Sequence, residues 1–267
     1  MAPKFSSIIR GISRVLLIDR LYELVLENEI RGYNVPNHIG IIMDGNRRWA
    51  EKKGLPSFMG YLNGSDTAEN LLYWCLDYGI KVVTLYALSL ENLNREKGQL
   101  DIILKSIYDK LLKLESTGLL QRNKIRFMAI GQTSMLPQYL KDEVEKLREM
   151  TKDNDKMFLN IAIAYGGRDE IIQAVKGILR DFKEGKVDID KIDDDSFSKY
   201  LFTGDLSEPE PDLIIRTSGE MRLSGFLPWQ SSYSELIFID EYWPELRRID
   251  LLRAIKTYQG RKRRFGR

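Results

Sequence analysis

The stretch HIGIIMDGNRRW, residues 38–49, changes from a short apolar run to an abrupt polar turn. Ile39–Met43 is continuously apolar, which is typical of a strand that is covered on both faces. Gly45 permits a tight turn, and Asn46 is a favoured N-cap for a helix that begins directly after it. The stretch therefore predicts a strand, a turn and a helix, with Asp44 at the carboxyl tip of the strand.

The same alternation of short apolar runs and longer helical runs continues along the chain. Five further strands are predicted at Val82–Leu88, Ile125–Ile130, Phe158–Ala164, Leu213–Arg216 and Leu236–Ile239. Helices are predicted at Arg47–Lys53, Asp66–Tyr78, Gln99–Gly118, Gln138–Lys152, Asp169–Phe182, Asp195–Leu201 and Ile249–Phe265. This alternation predicts an α/β fold, a single domain whose mostly parallel six-stranded sheet is flanked by helices. Ligands of such sheets bind at the carboxyl ends of the strands.

Composition excludes several classes of protein. The net charge is only +2 at pH 7, so no overall field favours nucleic acid as a partner. The single cysteine, Cys75, allows no disulfide within the chain, which suits a cytoplasmic location. The single histidine, His38, precludes a zinc site built mainly from His and Cys. We expect oxygen ligands for any metal, which favours Mg²⁺.

The N-terminal region differs from the rest. We predict an amphipathic helical extension over residues 1–35 and one α/β domain over residues 36–267. Apolar residues between Phe5 and Leu17 recur at helical spacing, with basic residues between them. Such a helix can lie on an anionic membrane surface, or it can pack on the domain as an ordinary helix. No apolar run is long enough to cross a bilayer.

Three polar segments follow predicted strands. Asp44 and the pair Arg47-Arg48 suit a phosphate with a bound Mg²⁺, although a turn with a solvated arginine pair is the plainer alternative. The segment Ser89–Arg95 concentrates a hydroxyl, a carboxylate, amides and a guanidinium. Two interpretations fit this composition, the edge of a functional site and an ordinary capped turn. Arg216 and Arg222 are six positions apart, with hydroxyls and glycines between them, and suit a diphosphate clamp.

Other segments are less specific. Glu235 immediately precedes an apolar strand, so a carboxylate is placed at an edge of the sheet. The basic segment 260–267 is a solvated tail, a nucleic-acid contact or a tail that folds over an anionic ligand. Asp193-Asp194-Asp195 is interpreted as a solvated loop that leads into a short helix. The chain contains neither a Walker A sequence nor a dinucleotide-binding glycine motif.

Four segments together resemble the cis-prenyltransferases, the undecaprenyl diphosphate synthase-like enzymes. They are His38–Ala50, Tyr86–Arg95, Asn160–Arg168 and Asp212–Ser224, and the similarity extends from about residue 36 to the C-terminus. The Asn-Arg-Arg variant and the helical extension are more similar to archaeal and eukaryotic members than to bacterial ones. The resemblance implies that residues 36–267 form a cis-prenyltransferase catalytic domain.

The resemblance also implies an activity and its partners. The reaction is a Mg²⁺-dependent, sequential cis-condensation of isopentenyl diphosphate onto an allylic prenyl diphosphate, either geranylgeranyl or farnesyl diphosphate. The product is a long-chain polyprenyl diphosphate for a glycosyl carrier lipid. The growing hydrocarbon requires an apolar tunnel beside the sheet, which the second and third predicted helices can line. The family implies a homodimer, and a membrane-apposed extension would help to release a lipid product.

The resemblance assigns residues to roles by position. Asp44 would hold Mg²⁺ on a diphosphate, and Asn92 is placed for removal of the proton. Glu235 would complete the metal site and link it to the dimer, and the Arg264–Gly266 element would reach the neighbouring subunit's diphosphate. The implied substrate-binding residues are Gly45, Asn46, Arg47, Arg48, Trp49, Ser89, Glu91, Arg95, Arg216, Arg222, Leu223, Ser224, Arg264 and Gly266.

Three positions depart from the usual family pattern. Ser57 and Tyr61, expected in the loop after the first helix, stand where many relatives carry Arg and His, and Met221 replaces a common His. These changes bear on primer preference, the metal shell and the lid. One alternative is a non-catalytic partner subunit of a heteromeric cis-prenyltransferase, but such subunits tend to lose the aspartate that Asp44 retains. A mostly helical trans-type prenyltransferase does not fit the strand pattern, and a nucleic-acid-binding module has only the basic tail in its favour.

Overall fold

In the computed structural model, residues 20–31 and 33–261 are described. Six strands in this part of the chain form one sheet: β1 (His38–Ile42), β2 (Val82–Ser89), β3 (Ile125–Ile130), β4 (Met157–Tyr165), β5 (Leu213–Arg216) and β6 (Glu235–Phe238). Their order across the sheet is β3-β4-β2-β1-β5-β6, and all five neighbouring pairs are parallel. The predicted six-stranded α/β sheet is confirmed, and it is wholly parallel.

Helices connect the strands. Residues 20–30 are helical and are called α1. The other helices are α2 (Asn46–Lys52), α3 (Ser57–Asp77), α4 (Lys97–Ser116), α5 (Leu119–Arg122), α6 (Gln138–Thr151), α7 (Gly167–Lys183), α8 (Asp194–Ser198) and α9 (Arg248–Gly260). Asp193 caps α8, because its side chain accepts a hydrogen bond from the backbone N–H of Ser196. The acidic triplet is exposed and opens a short helix as interpreted, but Asp194 and Asp195 belong to the helix and not to the loop before it.

The predicted helices begin within two residues of their predicted starts, with the exception of α3. Helix α2 begins at Asn46, and its N-cap is Gly45, whose φ of 102° lies in the left-handed region that glycine adopts readily. Helix α3 begins at Ser57, well before the predicted Asp66. Ser57 and Tyr61 therefore lie within a helix and not in a loop. The reason is a close approach of α2 and α3, since a Cβ atom on Gly64 would lie 2.1 Å from Asn46 Oδ1.

Buried apolar residues cover both faces of the sheet. Leu26 and Ile30 of α1 belong to the larger core, whereas Leu21 and Leu24 are exposed. Cys75 is fully buried in the same core, and burial raises the pKa of its thiol. None of the described helices has the length and apolar character needed to cross a bilayer. Most of the predicted extension, residues 1–19, lies outside the described part, so membrane contact stays a prediction.

A row of polar side chains crosses the middle of the sheet. The ring Nε2 of His38 and the Oγ1 of Thr84 are 2.8 Å apart. Asn160 donates its Nδ2 to the same Thr84 oxygen at 3.1 Å. All three side chains are buried, and burial lowers the pKa of His38 to about 4. This buried polar row links β1, β2 and β4, and it agrees with the interpretation of His38 as a structural residue.

Candidate active site

The strand order brings together the polar segments that follow β1, β2 and β5. Strand β1 pairs with β2 on one side and with β5 on the other, so their carboxyl ends share one edge of the sheet. A cavity of about 720 Å³ opens at this edge. The predicted site residues that line it are Asp44, Gly45, Asn46, Arg47, Arg48, Ser89, Glu91, Asn92, Arg95, Arg216 and Ser224.

Asp44 is held between two arginines. Arg216 donates its Nη2 to Asp44 Oδ2 at 2.8 Å, and Arg48 donates its Nη2 to Asp44 Oδ1 at 3.2 Å. Burial alone would raise the pKa of Asp44, but the hydrogen bond and charge of Arg216, with those of Arg48, lower the pKa below its usual value. The carboxyl group is therefore ionised at neutral pH.

Thr217 fixes the backbone of the same aspartate. Its hydroxyl accepts a hydrogen bond from the Asp44 N–H at 3.1 Å and donates to the Asp44 carbonyl at 2.7 Å. These bonds tie the segment after β1 to the segment after β5. The position of Asp44 is thus set by both strands before any ligand binds.

Arg216 is a buried cation with donor capacity to spare. The residue is only 4% exposed, and its Nη1 donates to Ser224 Oγ at 2.8 Å and to the carbonyl of Arg222. Its Nε has no hydrogen-bond partner among the described residues. A buried guanidinium N–H without a partner is costly, and Arg216 is one of the residues that line the cavity.

Arg48 is shared between three acceptors. Besides Asp44, its guanidinium donates to Ser218 Oγ at 2.6 Å and to Glu220 Oε1 at 3.2 Å. Burial would lower the pKa of Arg48, but Asp44 and Glu220 raise it. Two carboxylates thus compensate the charge of the arginines, and a diphosphate would compete with them for the same donors.

The segment after β2 is both a capped turn and a wall of the cavity. Ser89 Oγ accepts a hydrogen bond from the Asn92 N–H at 3.2 Å, and Arg95 donates its Nε to Asn92 Oδ1 at 2.9 Å. Ser89, Asn92 and Arg95 all line the cavity. The two interpretations of this segment are therefore compatible.

The acidic side chains of the cavity test whether the site suits the expected Mg²⁺. Asp44 and Glu91 are the acidic side chains that line the cavity within the described part of the chain. No group of three or more His, Cys, Asp or Glu residues that could hold a metal occurs in that part. Mg²⁺ commonly binds through one or two carboxylates together with substrate phosphates and water. The donor set therefore fits a magnesium ion that arrives with a diphosphate.

Comparison with known proteins identifies the family. The family model described as "Putative undecaprenyl diphosphate synthase" matches residues 42–266. The chain belongs to the undecaprenyl diphosphate synthase family, the cis-prenyltransferases. The resemblance inferred from the four sequence segments is confirmed.

Several relatives in this family are similar over nearly the whole chain. An archaeal protein from Methanopyrus kandleri, named "Tritrans,polycis-undecaprenyl-diphosphate synthase (geranylgeranyl-diphosphate specific)", is 48% identical over 97% of this chain and 96% of its own. A protein of the same name from Thermoplasma volcanium is 47% identical over 96% of this chain and 100% of its own. The crystal structure of lavandulyl diphosphate synthase from Lavandula x intermedia, in complex with dimethylallyl diphosphate, is 35% identical and superposes with a TM-score of 0.84. That superposition covers 87% of this chain and 99% of the plant enzyme.

Not every residue implied by the family lies at the cavity of this cis-prenyltransferase. The guanidinium of Arg222 pairs with Glu220 Oε2 at 2.5 Å and does not join Arg216, which binds the Arg222 carbonyl instead. Trp49 and Leu223 also do not line the cavity. Leu223 packs against the smaller core, and Trp49 Nε1 is buried without a partner among the described residues. Arg264 and Gly266 lie outside the described part.

Glu235 lies at the wrong edge of the sheet to meet Asp44 within one chain. It begins β6 and pairs in register with Leu213, the first residue of β5, whereas Arg216 is the last. Because the strands are parallel, Glu235 is at the amino edge, about 10 Å of strand from the level of Arg216. Within one chain, Glu235 therefore lies away from Asp44 and Arg216, and its role in a metal site linked to the dimer stays a prediction.

The rest of the cavity is largely apolar and lies between the sheet and two helices. Tyr61 and Ala68 of α3 face Ile103, Ile107 and Leu111 of α4 across it. The predicted helices at these positions thus line the cavity of the cis-prenyltransferase. Sequence reasoning missed two charged lining residues, Arg168 and Lys110. Arg168 follows β4 in the Tyr165-Gly166-Gly167 segment, and that position was the available signal.

Proposed function

We propose that this cis-prenyltransferase adds isopentenyl diphosphate units in sequence to geranylgeranyl diphosphate, with Mg²⁺, to give a long-chain polyprenyl diphosphate for a glycosyl carrier lipid. One observation carries the proposal: a single cavity joins the charged cluster of Asp44, Arg48 and Arg216 to an apolar section between α3 and α4. A prenyl diphosphate has the same two parts. Its diphosphate matches the cationic end, and its hydrocarbon matches the apolar section.

The charged end would stabilise the leaving group. When an allylic diphosphate departs, negative charge develops on its oxygens. Arg216 and Arg48 present donors that are already fixed by Asp44, Ser218 and Ser224, so little reorganisation is needed when that charge appears. Bound Mg²⁺ would supply further charge compensation on the diphosphate, held by Asp44 together with phosphate oxygens.

Asn92 is proposed to position the reacting groups. Condensation with isopentenyl diphosphate ends with loss of a proton, which a weak base or a phosphate oxygen can accept. The oxygen of the Asn92 side chain already accepts from Arg95 Nε at 2.9 Å, so it is poorly placed to take the proton itself. We assign the proton to a diphosphate oxygen, and Asn92 and Ser89 to the orientation of that group.

The primer assignment rests on similarity. Relatives at 48% and 47% identity carry names that specify geranylgeranyl diphosphate. Geranylgeranyl diphosphate also suits this chain, because the apolar section of the cavity can accept the hydrocarbon of the primer before elongation begins. Farnesyl diphosphate is the alternative primer.

A homodimer is proposed because one chain leaves Glu235 far from the cavity. If Glu235 acts in the site, it has to come from a second copy. The family resemblance assigns the C-terminal element Arg264–Gly266 to the neighbouring subunit's diphosphate as well. The assembly would then place a carboxylate of one subunit beside Asp44 of the other. The proposed location is cytoplasmic, with the N-terminal helix against a membrane surface.

The test is an incorporation assay on the purified full-length protein. With Mg²⁺, labelled isopentenyl diphosphate and geranylgeranyl diphosphate, we expect butanol-extractable long-chain products, and EDTA should abolish them. Farnesyl diphosphate in a parallel reaction ranks the two primers. Absence of product with both primers would reject the proposal in favour of a non-catalytic partner subunit.

A further inference from the structure

Arg168 differs from the other cationic residues of the cavity because its side chain has no partner. Six cationic residues line the cavity: Arg47, Arg48, Arg95, Lys110, Arg168 and Arg216. The side chains of the other five each form an ion pair or a hydrogen bond with a neighbouring side chain. Within the part of the chain that the structure describes, no hydrogen bond or ion pair engages the guanidinium of Arg168. Its donors are therefore available to a ligand in the cavity.

The two acidic residues that follow Arg168 in the chain are engaged elsewhere. Asp169 accepts a hydrogen bond from Gln132 Nε2 at 2.8 Å. Glu170 is fully buried and accepts a hydrogen bond from the Tyr165 hydroxyl at 2.5 Å. Arg168 itself is exposed at the cavity. Its positive charge is therefore not compensated by the carboxylates beside it in the sequence.

The first turn of α7, which carries Arg168, is held against the segment that contains Ser224. The Gly167 N–H donates to the Gly225 carbonyl at 2.9 Å. A Cβ atom on Gly167 would lie 2.6 Å from that carbonyl oxygen, so a side chain there would prevent the approach. Ser224 accepts a hydrogen bond from Arg216 Nη1 at 2.8 Å. Arg168 is thus fixed next to the segment that also bonds Arg216, and both arginines line one cavity.

The start of α7 also contacts the segment after β2. The Leu90 N–H donates to the Tyr165 carbonyl at 2.8 Å, and a Cβ atom on Gly166 would lie 3.2 Å from Leu90 Cβ. Arg168 follows Gly166 by two positions. Helix α7 therefore begins in contact with both of the segments, after β2 and after β5, that form polar walls of the cavity.

A diphosphate offers more acceptors than one arginine can engage. It has two phosphate groups, and each can accept a pair of hydrogen bonds from a guanidinium. Arg216 stands at the cavity, but the guanidinium of Arg222 pairs with Glu220 Oε2 at 2.5 Å. Arg168 supplies a further guanidinium at the same cavity, and no carboxylate of the described residues has to be displaced from it.

On the basis of the proposed function, we propose that Arg168 binds the diphosphate of isopentenyl diphosphate together with Arg216 and Ser224. The start of α7 contacts the segment that contains Ser224, whereas the diphosphate of the primer is assigned to Asn46–Arg48 after β1. Arg168 therefore acts on one of the two substrates. A contact that is equally strong before and during the reaction lowers the KM for that substrate and leaves kcat unchanged.

The test is the variant Arg168→Gln, which removes the charge and keeps an unbranched side chain that favours a helix. In the incorporation assay at varied isopentenyl diphosphate, we expect its KM for isopentenyl diphosphate to rise about 10- to 100-fold, as for the loss of a hydrogen bond between charged groups. Its kcat and its KM for geranylgeranyl diphosphate should stay close to those of the wild type.

The chain offers a matched control on the same helix. Arg180 lies in the last turn of α7, is exposed and does not line the cavity. Arg180→Gln therefore makes the same change of charge away from the site, and both of its KM values should match those of the wild type. An unchanged KM for isopentenyl diphosphate in Arg168→Gln would overturn the proposal. An equal rise in its KM for geranylgeranyl diphosphate, or in the control, would overturn it as well.

Two further measurements keep the result interpretable. Calorimetric titration with isopentenyl diphosphate and Mg²⁺, without a primer, needs no turnover, and the Kd of Arg168→Gln should rise by the same factor as its KM. If circular dichroism shows that this variant does not fold, Arg168→Met carries the same expectation, since it also removes the charge. Identical Kd values for the wild type and the variant refute the role of Arg168 alone, whereas a wild type without product from either primer refutes the proposed function.

Discussion

Strand β1 begins and ends beside polar residues, and the two ends have different surroundings. His38 at the amino end belongs to the buried polar row with Thr84 and Asn160. Asp44 follows the carboxyl end, about 20 Å farther along the strand direction, and bonds Arg48 and Arg216 at the wall of a cavity. Both groups are hydrogen-bonded, but the second lines a cavity, whereas the first is enclosed within the sheet.

The difference separates residues that hold the sheet from residues that serve a ligand. The hydrogen bonds of the buried polar row join three strands, so disturbing them should affect the free energy of unfolding. The carboxyl-edge cluster has an unpartnered donor on Arg216 and a carboxylate shared by two arginines. Disturbing that cluster should affect turnover first.

The largest expected effect is that of Asp44→Ala on turnover. Loss of one preorganised charged group from such a site lowers kcat by about 100- to 1,000-fold. The melting temperature should change much less, because Arg216 retains its bonds to Ser224 and to the Arg222 carbonyl. Steady-state assays and calorimetry measure the two quantities, with Asp109→Ala on α4 as an exposed-carboxylate control. Near-normal turnover would remove Asp44 from the site.

The next effect belongs to the other end of β1 and depends on pH. His38 has a pKa of about 4 when folded and 6.5 as a free side chain, so between these values the unfolded chain binds a proton that the folded chain does not. Stability should therefore fall as the pH drops from 6.5 to 4, by about 3 kcal/mol in total.

This prediction has a direct readout because His38 is the single histidine of the chain. One imidazole signal in an NMR titration reports its protonation, and urea unfolding at each pH reports stability. A midpoint near 6.5 in the folded protein would show that the buried polar row does not exclude the charged ring.

Thr84→Val should lower stability by about 2 kcal/mol with little effect on KM. The substitution preserves shape but leaves His38 Nε2 and Asn160 Nδ2 without the oxygen that both contact. Thr84→Ser, which keeps the hydroxyl, is the matched control. Denaturant unfolding compares the three proteins. A valine variant as stable as the wild type, or one with a raised KM, would contradict the claim that the amino end of β1 serves stability and the carboxyl end serves the substrate.

The smallest expected effect is that of Ser224→Ala. Arg216 Nη1 loses a hydroxyl partner at 2.8 Å but keeps its bond to the Arg222 carbonyl. We expect a loss of about 1 kcal/mol in substrate binding, roughly a fivefold rise in KM for isopentenyl diphosphate, at an unchanged melting temperature. Kinetics at varied isopentenyl diphosphate test this. A changed melting temperature with constant KM would assign Ser224 to the fold.

Much of the fold could be predicted because the strands are continuous apolar runs that stop abruptly. All six strands appear within two residues of their predicted bounds. The start of α3 could not be predicted in this way. Pro56, Gly60 and Gly64 have the composition of a loop, and they are tolerated in a helix start because the helix packs closely on Asn46. That contact is tertiary and leaves no periodic signal.

Some residues of the candidate site could likewise be predicted from the sequence, and others could not. Asp44 and Asn92 follow strands and Arg216 ends one, so the rule that ligands bind at carboxyl ends was sufficient to bring them together. Glu235 precedes its strand, so the same rule places it at the opposite edge. Lys110 was missed because a lysine within a predicted helix is ordinarily exposed. Its burial depends on Glu69, 41 positions away in the chain.

The burial of Cys75 has a practical consequence. Its thiol is enclosed by the larger core, and its raised pKa keeps it protonated at neutral pH, so labelling reagents should leave it unmodified in the native protein. The chain has no other cysteine. A cysteine introduced at Asp66 or Lys113 would therefore be the one reactive thiol, and an environment-sensitive fluorophore attached there could report changes at the contact of α3 and α4 during turnover.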